Sequence, residues 1–156
     1  MMLLIDGEDV KQAVVERLLE VFPDVAVYKE AKTNVVYPHF FVHQINLIDE
    51  GERMNHHLLY YSMEVRYRTA ADSSTDLKLQ QNLDAMGLKL SENFNIMDFE
   101  GSKVRCIDKS TEKSDGVLLF YFGVRIPAIE VSYEEYVKQR RLSPRISIRK
   151  ELKTRS

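Results

Sequence analysis

Cysteine is nearly missing from this chain. Cys106 stands alone, so no intramolecular disulfide can form, and the sequence fits synthesis in a reducing cytoplasm. A long hydrophobic run is missing as well: the longest, Val117 to Val124, falls far short of the roughly 20 residues of a membrane helix. Nothing is expected to span a bilayer. Met1 to Ile5 is apolar, but Asp6, Glu8 and Asp9 follow at once, and without a basic start or a cleavage site the segment does not read as a signal peptide. Glycine is sparse: Gly51, Gly101 and Gly116 stand isolated, and no phosphate-cradling loop precedes either main helical segment. Nucleotide binding therefore has no support.

Metal and catalytic patterns are equally thin. His39 and His43 are four apart, but they follow Pro38 in a segment that alternates like a strand, where four residues span roughly 13 Å. They are too far apart for one ion. His56 and His57 point to opposite faces of an extended chain, and no Cys/His cluster completes a site, so no metal is expected. Cys106, in Val104-Arg105-Cys106-Ile107, reads as a small core residue within a strand and not as a nucleophile. Asp98, Glu100, Asp108, Glu112 and Asp115 sit near turns and strand ends without the spacing of a cation-binding or nuclease site. No cofactor and no enzymatic activity are expected. Tyr60, Tyr61 and Tyr67 are candidates for stacking nucleic-acid bases, but tyrosine at sheet positions is usually packing, and Asp49, Glu50, Glu52 and Glu64 accompany Arg53, Arg66 and Arg68.

What is present is a foldable chain. Its 156 residues, 44% hydrophobic and 29% charged, suit one domain with a tail. Val10, Val14, Leu18 and Val21 recur at helical spacing after Asp6 and Asp9, which supply a cap and first-turn charge, and this first helix ends at Pro23. Val25 to Tyr28 reads as a short strand. After Pro38, two alternating rows, Phe40 to Leu47 and Leu58 to Tyr67, flank a charged connection from Asp49 to Asn55 and predict a long antiparallel hairpin with a polar tip. In its first limb Phe41, His43, Ile45 and Leu47 share one face and Phe40, Val42, Gln44, Asn46 and Ile48 the other; both begin apolar, which predicts a base buried on both sides. In its second limb Leu59, Tyr61, Met63, Val65 and Tyr67 make the apolar face.

Ala71 to Thr75 supplies capping candidates for a second helix, roughly Thr75 to Asn93, on the spacing of Leu79, Leu83, Met86, Leu90 and Phe94. Ile96 to Phe99 opens a final group of strands with turns at Glu100-Gly101 and Asp115-Gly116, and Val117 to Ile126 reads as a central strand stopped by Pro127. Ser132 with Glu135 caps a third helix, Tyr133 to Leu142, which Ser143-Pro144 ends. The order predicts an α+β, two-layer sandwich: an antiparallel or mixed sheet with two main helices on one face, a long projecting β-hairpin and a C-terminal helical and extended tail. Residues 1–131 are read as the domain and 132–156 as a basic extension.

Charge divides along the same boundary. From Tyr133 to Ser156 eight Lys/Arg stand against three Glu, a balance of +5, so a chain of net charge −2 keeps −7 in its body. The extension reads as a solvated or neighbour-bound tail, and Arg145-Ile146-Ser147-Ile148-Arg149 alternates as a strand does when it pairs with a neighbour's sheet edge.

The succession of an amphipathic helix ending in Val21-Phe22-Pro23-Asp24, then Val27-Tyr28, Tyr37-Pro38-His39-Phe40-Phe41-Val42, the hairpin, the second helix and Ser114-Asp115-Gly116-Val117-Leu118-Leu119-Phe120-Tyr121-Phe122 resembles the phage tail terminator family of Gram-positive prophages and phage-tail-like particles. The resemblance covers roughly Val10 to Val131. It implies a homo-oligomeric ring, usually a hexamer, that caps the head-proximal end of the tail tube, stops polymerisation of tube and sheath, and offers a surface to neck or head-completion proteins. The tail tube protein would be its main partner. DNA would pass through the lumen without specific binding, and the protein would end in a virion or phage-tail-like particle after synthesis in the host bacterial cytoplasm. Two segments are expected at subunit or tube contacts: the tip, with Asp49, Glu50, Glu52, Arg53, Asn55, His56 and His57, and the extension, with Arg140, Arg141, Arg145, Ile146, Ile148 and Arg149. A head-completion or neck connector is the alternative, and a nucleic-acid-binding adaptor a further one.

Overall fold

The computed structural model describes residues 2–3, 5–30, 32–70 and 77–142. A short strand β1 (Met2–Leu3) precedes helix α1 (Gly7–Val21). The carboxylate of Asp6 accepts from the Asp9 backbone at 3.1 Å and that of Asp9 accepts from the Asp6 backbone at 2.9 Å, a reciprocal box that fixes the helix start where the sequence places it. Strands β2 (Ala26–Tyr28), β3 (His39–Arg53) and β4 (His56–Arg68) follow, then helix α2 (Leu77–Asn93). A small separate hairpin, β5 (Ile96–Phe99) and β6 (Ser102–Arg105), leads to β7 (Ile107–Ser114), β8 (Val117–Val131) and helix α3 (Tyr133–Leu142).

Six of these strands form one mixed sheet. Its order is β1-β8-β4-β3-β2, with β7 also paired to β8; β2 runs parallel to β3 and the other pairs are antiparallel. One face carries the core. Phe40 and Val42 of β3, Leu59, Tyr61, Met63, Val65 and Tyr67 of β4, and Leu118, Phe120, Phe122, Val124 and Ile126 of β8 are buried there with Val10, Val14 and Leu18 of α1 and Leu79, Leu83 and Leu90 of α2. The α+β sandwich is therefore present. Both predicted turns are present too: Glu100-Gly101 and Asp115-Gly116 take positive φ at both residues, the backbone that lets a two-residue hairpin follow the strand twist.

Several expectations need correction. The charged connection after Asp49 is mostly strand, since β3 continues to Arg53 and β4 starts at His56, leaving Met54 and Asn55 as the turn. Pro127 does not stop β8. It faces Leu58 in register and falls between the end of β7 pairing at Gly123 and the start of β1 pairing at Glu130, where its missing N–H breaks no ladder bond on that side.

The simple alternation of β3 also fails. Ile45 and Glu50 are extra residues in two bulges, after which Leu47 lies opposite Tyr61 and Ile48 opposite Tyr60, the reverse of the faces read from period two. At the base, Phe40 and Val42 are fully buried but Phe41 and His43 only half so, because no helix covers that side. Tyr61 and Tyr67 are core residues and offer no ring to a base. Cys106 is buried in the link between β6 and β7, its backbone N–H bonded to the Asn95 carbonyl at 2.9 Å. The capping candidates at 71–75 lie outside the described residues.

Candidate interaction surface

β3, β4 and β8 run side by side to the tip of the sheet, and β3 lies on the outside of the three. Every described side chain from Gln44 to Arg53 is exposed, including Ile45, Leu47 and Ile48. On β4 and β8 the inner positions stay buried as far as His57 and Ala128, while Leu58 and Ile129 are exposed on the other face and Met54 stands at the turn. The distal sheet therefore presents apolar groups to solvent along an edge strand, a composition suited to contact with another protein chain.

The inner face of this region is tied beside the turn by a charged clamp. His57 of β4 places Nδ1 at 2.7 Å from Asp49 Oδ2 of β3 and Nε2 at 2.9 Å from Glu130 Oε1 of β8. Only the doubly protonated ring can donate to both carboxylates, so the geometry is that of an imidazolium joining three strands. The hydrogen bond that His57 donates to Asp49, helped by the one to Glu130, pushes the His57 pKa above the ordinary value of 6.5. The turn is tied to β8 as well: the Glu130 N–H donates to the Asn55 carbonyl at 2.8 Å and Asn55 Nδ2 donates to the Glu130 carbonyl at 3.2 Å.

A raised folded pKa means that His57 contributes its stability fully below the unfolded value and loses it as pH rises through the folded one. His39 and His43 act in the opposite sense, since burial lowers both. In an NMR titration His57 is expected to titrate above 6.5 and the other two below. His57→Gln should remove the part of the stability that declines with rising pH; an unchanged pH profile in that variant would refute the clamp.

On the opposite face, Tyr60 donates to Asp108 Oδ2 at 2.7 Å, and the Arg125 guanidinium lies 5.4 Å from the Tyr60 ring while its Nε donates to Glu50 Oε1 at 2.6 Å. Burial, then the bond to Asp108, raises the Tyr60 pKa. Nearer the sheet base this face holds a cavity of about 580 Å³ whose lining includes Lys32, Tyr37, His39, Phe41, Arg66 and Arg68. Arg66 pairs with the buried carboxylate of Glu64. The cavity combines cations and rings.

The predicted tip residues thus separate by role. Asp49 and His57 meet in the clamp and Glu50 meets Arg125, whereas Arg53 and His56 are exposed at the tip and Asn55 holds the turn. The side chains of Glu52, Arg140 and Arg141 are outside the described set, as are Arg145, Ile146, Ile148 and Arg149 altogether. Glu130 escapes the sequence reading because that reading stops the strand at Pro127; Arg125 lies within the strand as read, but its partners Glu50 and Tyr60 come from other strands and carry no local signal. The period-two continuation Ile126, Ala128, Glu130 was the available signal.

No helix among the described residues is long and apolar enough to cross a membrane. A family model described as phage tail terminator protein matches residues 9–136, from the first turn of α1 to the first turn of α3. No curated protein matches the chain. Among solved structures, one aligns with 82% of this chain and 98% of its own at 15% identity and a TM-score of 0.38, too loose a likeness to bear on function.

Proposed function

Because this chain belongs to the phage tail terminator family, and so has a structural role in a phage tail, we propose that it assembles as a ring on the head-proximal end of the tail tube. There it ends tube polymerisation and presents the surface on which neck or head-completion proteins dock. The observation that carries this reading is the distal sheet: an edge strand whose described side chains are exposed from Gln44 to Arg53, stiffened by β4 and β8 and bearing exposed apolar residues. A closed ring needs two dissimilar surfaces on each subunit that join head to tail. The exposed tip, with Arg53 and His56, and the basic extension of residues 132–156 supply them in this proposal.

The lumen of such a ring would be lined from the acidic body, whose charge of −7 repels phosphate and lets DNA slide past. In a contractile tail the same ring would also meet the last layer of sheath. Six subunits is the expected number, from the resemblance alone. Mixing the purified protein with purified tail tubes and viewing them by negative-stain electron microscopy tests the proposal. A ring at one end only, with no further elongation from that end, is the expected result. Bare tubes that keep growing, with the protein bound to portal or neck particles, would replace it with the neck-connector reading.

A further inference from the structure

We infer that the segment Arg145 to Arg149 of one copy adds as a strand to the free edge of β3 in the next copy, alongside the regular stretch of residues 46–49 between its two bulges. The inference deepens the ring reading above and names the edge and the occupant. β2 pairs with β3 only from His39 to Phe41, so from Val42 outward the described residues give β3 a ladder partner on its β4 side alone. Half of the backbone donors and acceptors of this stretch therefore face outward, and β-strand addition is the way a protein chain satisfies such a row.

The occupant follows from chemistry and reach. Ile146 and Ile148 alternate with Arg145, Ser147 and Arg149, giving one apolar and one basic face. Beyond its first bulge each face of the β3 edge offers one apolar and one polar residue: Ile48 with Asn46 on the face of Tyr60, and Leu47 with Asp49 on the face of Tyr61. Ile146 and Ile148 fit beside Ile48, and the arginines fit on the side of Asp49. The arginines of a +5 extension would join charges already paired within the subunit, since Asp49 meets His57 and Glu50 meets Arg125. α3 packs against β1, at the far edge of the sheet from β3, so the chain leaves one edge and the acceptor lies on the other. Arg145 comes three residues after Leu142, about 10 Å of extended chain. The acceptor edge therefore lies close to the end of α3, and donor and acceptor on opposite edges of the sheet leave that pairing to a neighbouring copy and make every contact head to tail.

The test uses full-length chains with Cys106→Ala, one carrying Ile48→Cys and the other Ile148→Cys, mixed and treated with a short bismaleimide. A covalent pair of the two different chains is expected. Its yield should fall about tenfold or more when Ile146→Pro, which removes an N–H needed in the new ladder, is added to the second chain. Absence of the mixed pair, a cross-link only within a doubly substituted chain, or a pair that survives Ile146→Pro would overturn the inference. Tube capping is scored separately on the same proteins. Capping without the mixed pair leaves the ring reading standing and this one refuted; the mixed pair without capping does the reverse.

Discussion

Phe94→Ala is expected to lower the unfolding free energy by about 3–5 kcal/mol, the range for truncating a fully buried phenylalanine to alanine. Phe94 has no exposed surface. It follows directly on α2, held by a bond from its N–H to the Leu90 carbonyl at 3.0 Å, and inserts its ring against Phe122 at 5.2 Å and Phe120 at 5.8 Å between centroids. Those two rings belong to β8, so Phe94 is where the second helix meets the sheet's central strand. The neighbouring turn cannot easily collapse into the void, because Arg17 of α1 donates to the Asn93 carbonyl at 3.1 Å and holds it in place. Against total stabilities of about 5–15 kcal/mol the loss takes a large share of the fold. Urea denaturation followed by circular dichroism measures it, with Phe94→Leu as the milder control. A loss below about 1 kcal/mol would mean that the site repacks and that α2 is not anchored through this ring.

The second large effect is expected at Gly123. A Cβ built there would lie 2.1 Å from Tyr60 Oη and 2.3 Å from Tyr60 Cζ. The Tyr60 ring lies over the bare backbone of β8 and cannot simply swing aside, because Asp108 holds its hydroxyl and Arg125 covers its face. Gly123→Ala must therefore displace the ring, at about 1–3 kcal/mol, and Gly123→Val more. For a chain of this size each kcal/mol moves the thermal midpoint by about 2–4 °C. Adding Tyr60→Ser should relieve most of the penalty, so the two substitutions will be strongly non-additive in a double-mutant cycle. Additive losses would show that the glycine matters for some reason other than this ring.

Legibility in the sequence followed the reach of each physical signal. Local signals were decisive: the Asp6/Asp9 box set the start of α1, Glu100-Gly101 and Asp115-Gly116 set two hairpins, and the Ser132 cap placed α3 at Tyr133, where the Ser132 Oγ accepts from the Glu135 N–H at 3.2 Å. Periodicity found the inner faces of β4 and β8. It failed on β3 because a bulge is demanded by the partner strand and leaves no mark in the residue at which it occurs. Proline was over-read at Pro127, since whether a missing N–H matters depends on what lies on that side of the strand, which is a tertiary fact. The same error hid Glu130 and with it the meaning of His57, whose two carboxylates come from strands eight residues before and seventy-three after it. Gly123, inside an otherwise apolar strand, was a readable sign of close approach, but the approaching Tyr60 was not.

The two bulges of β3 have a meaning for growth. A flat, exposed strand of ten residues is a template on which identical chains stack into fibrils. Extra residues at Ile45 and Glu50 bend the strand and increase its twist, so whatever lies along it is turned out of the plane of the sheet behind. Strand after strand cannot be laid on such an edge in one direction. A protein whose family is named for ending the growth of a polymer has, in its own long exposed edge, a shape that resists becoming one.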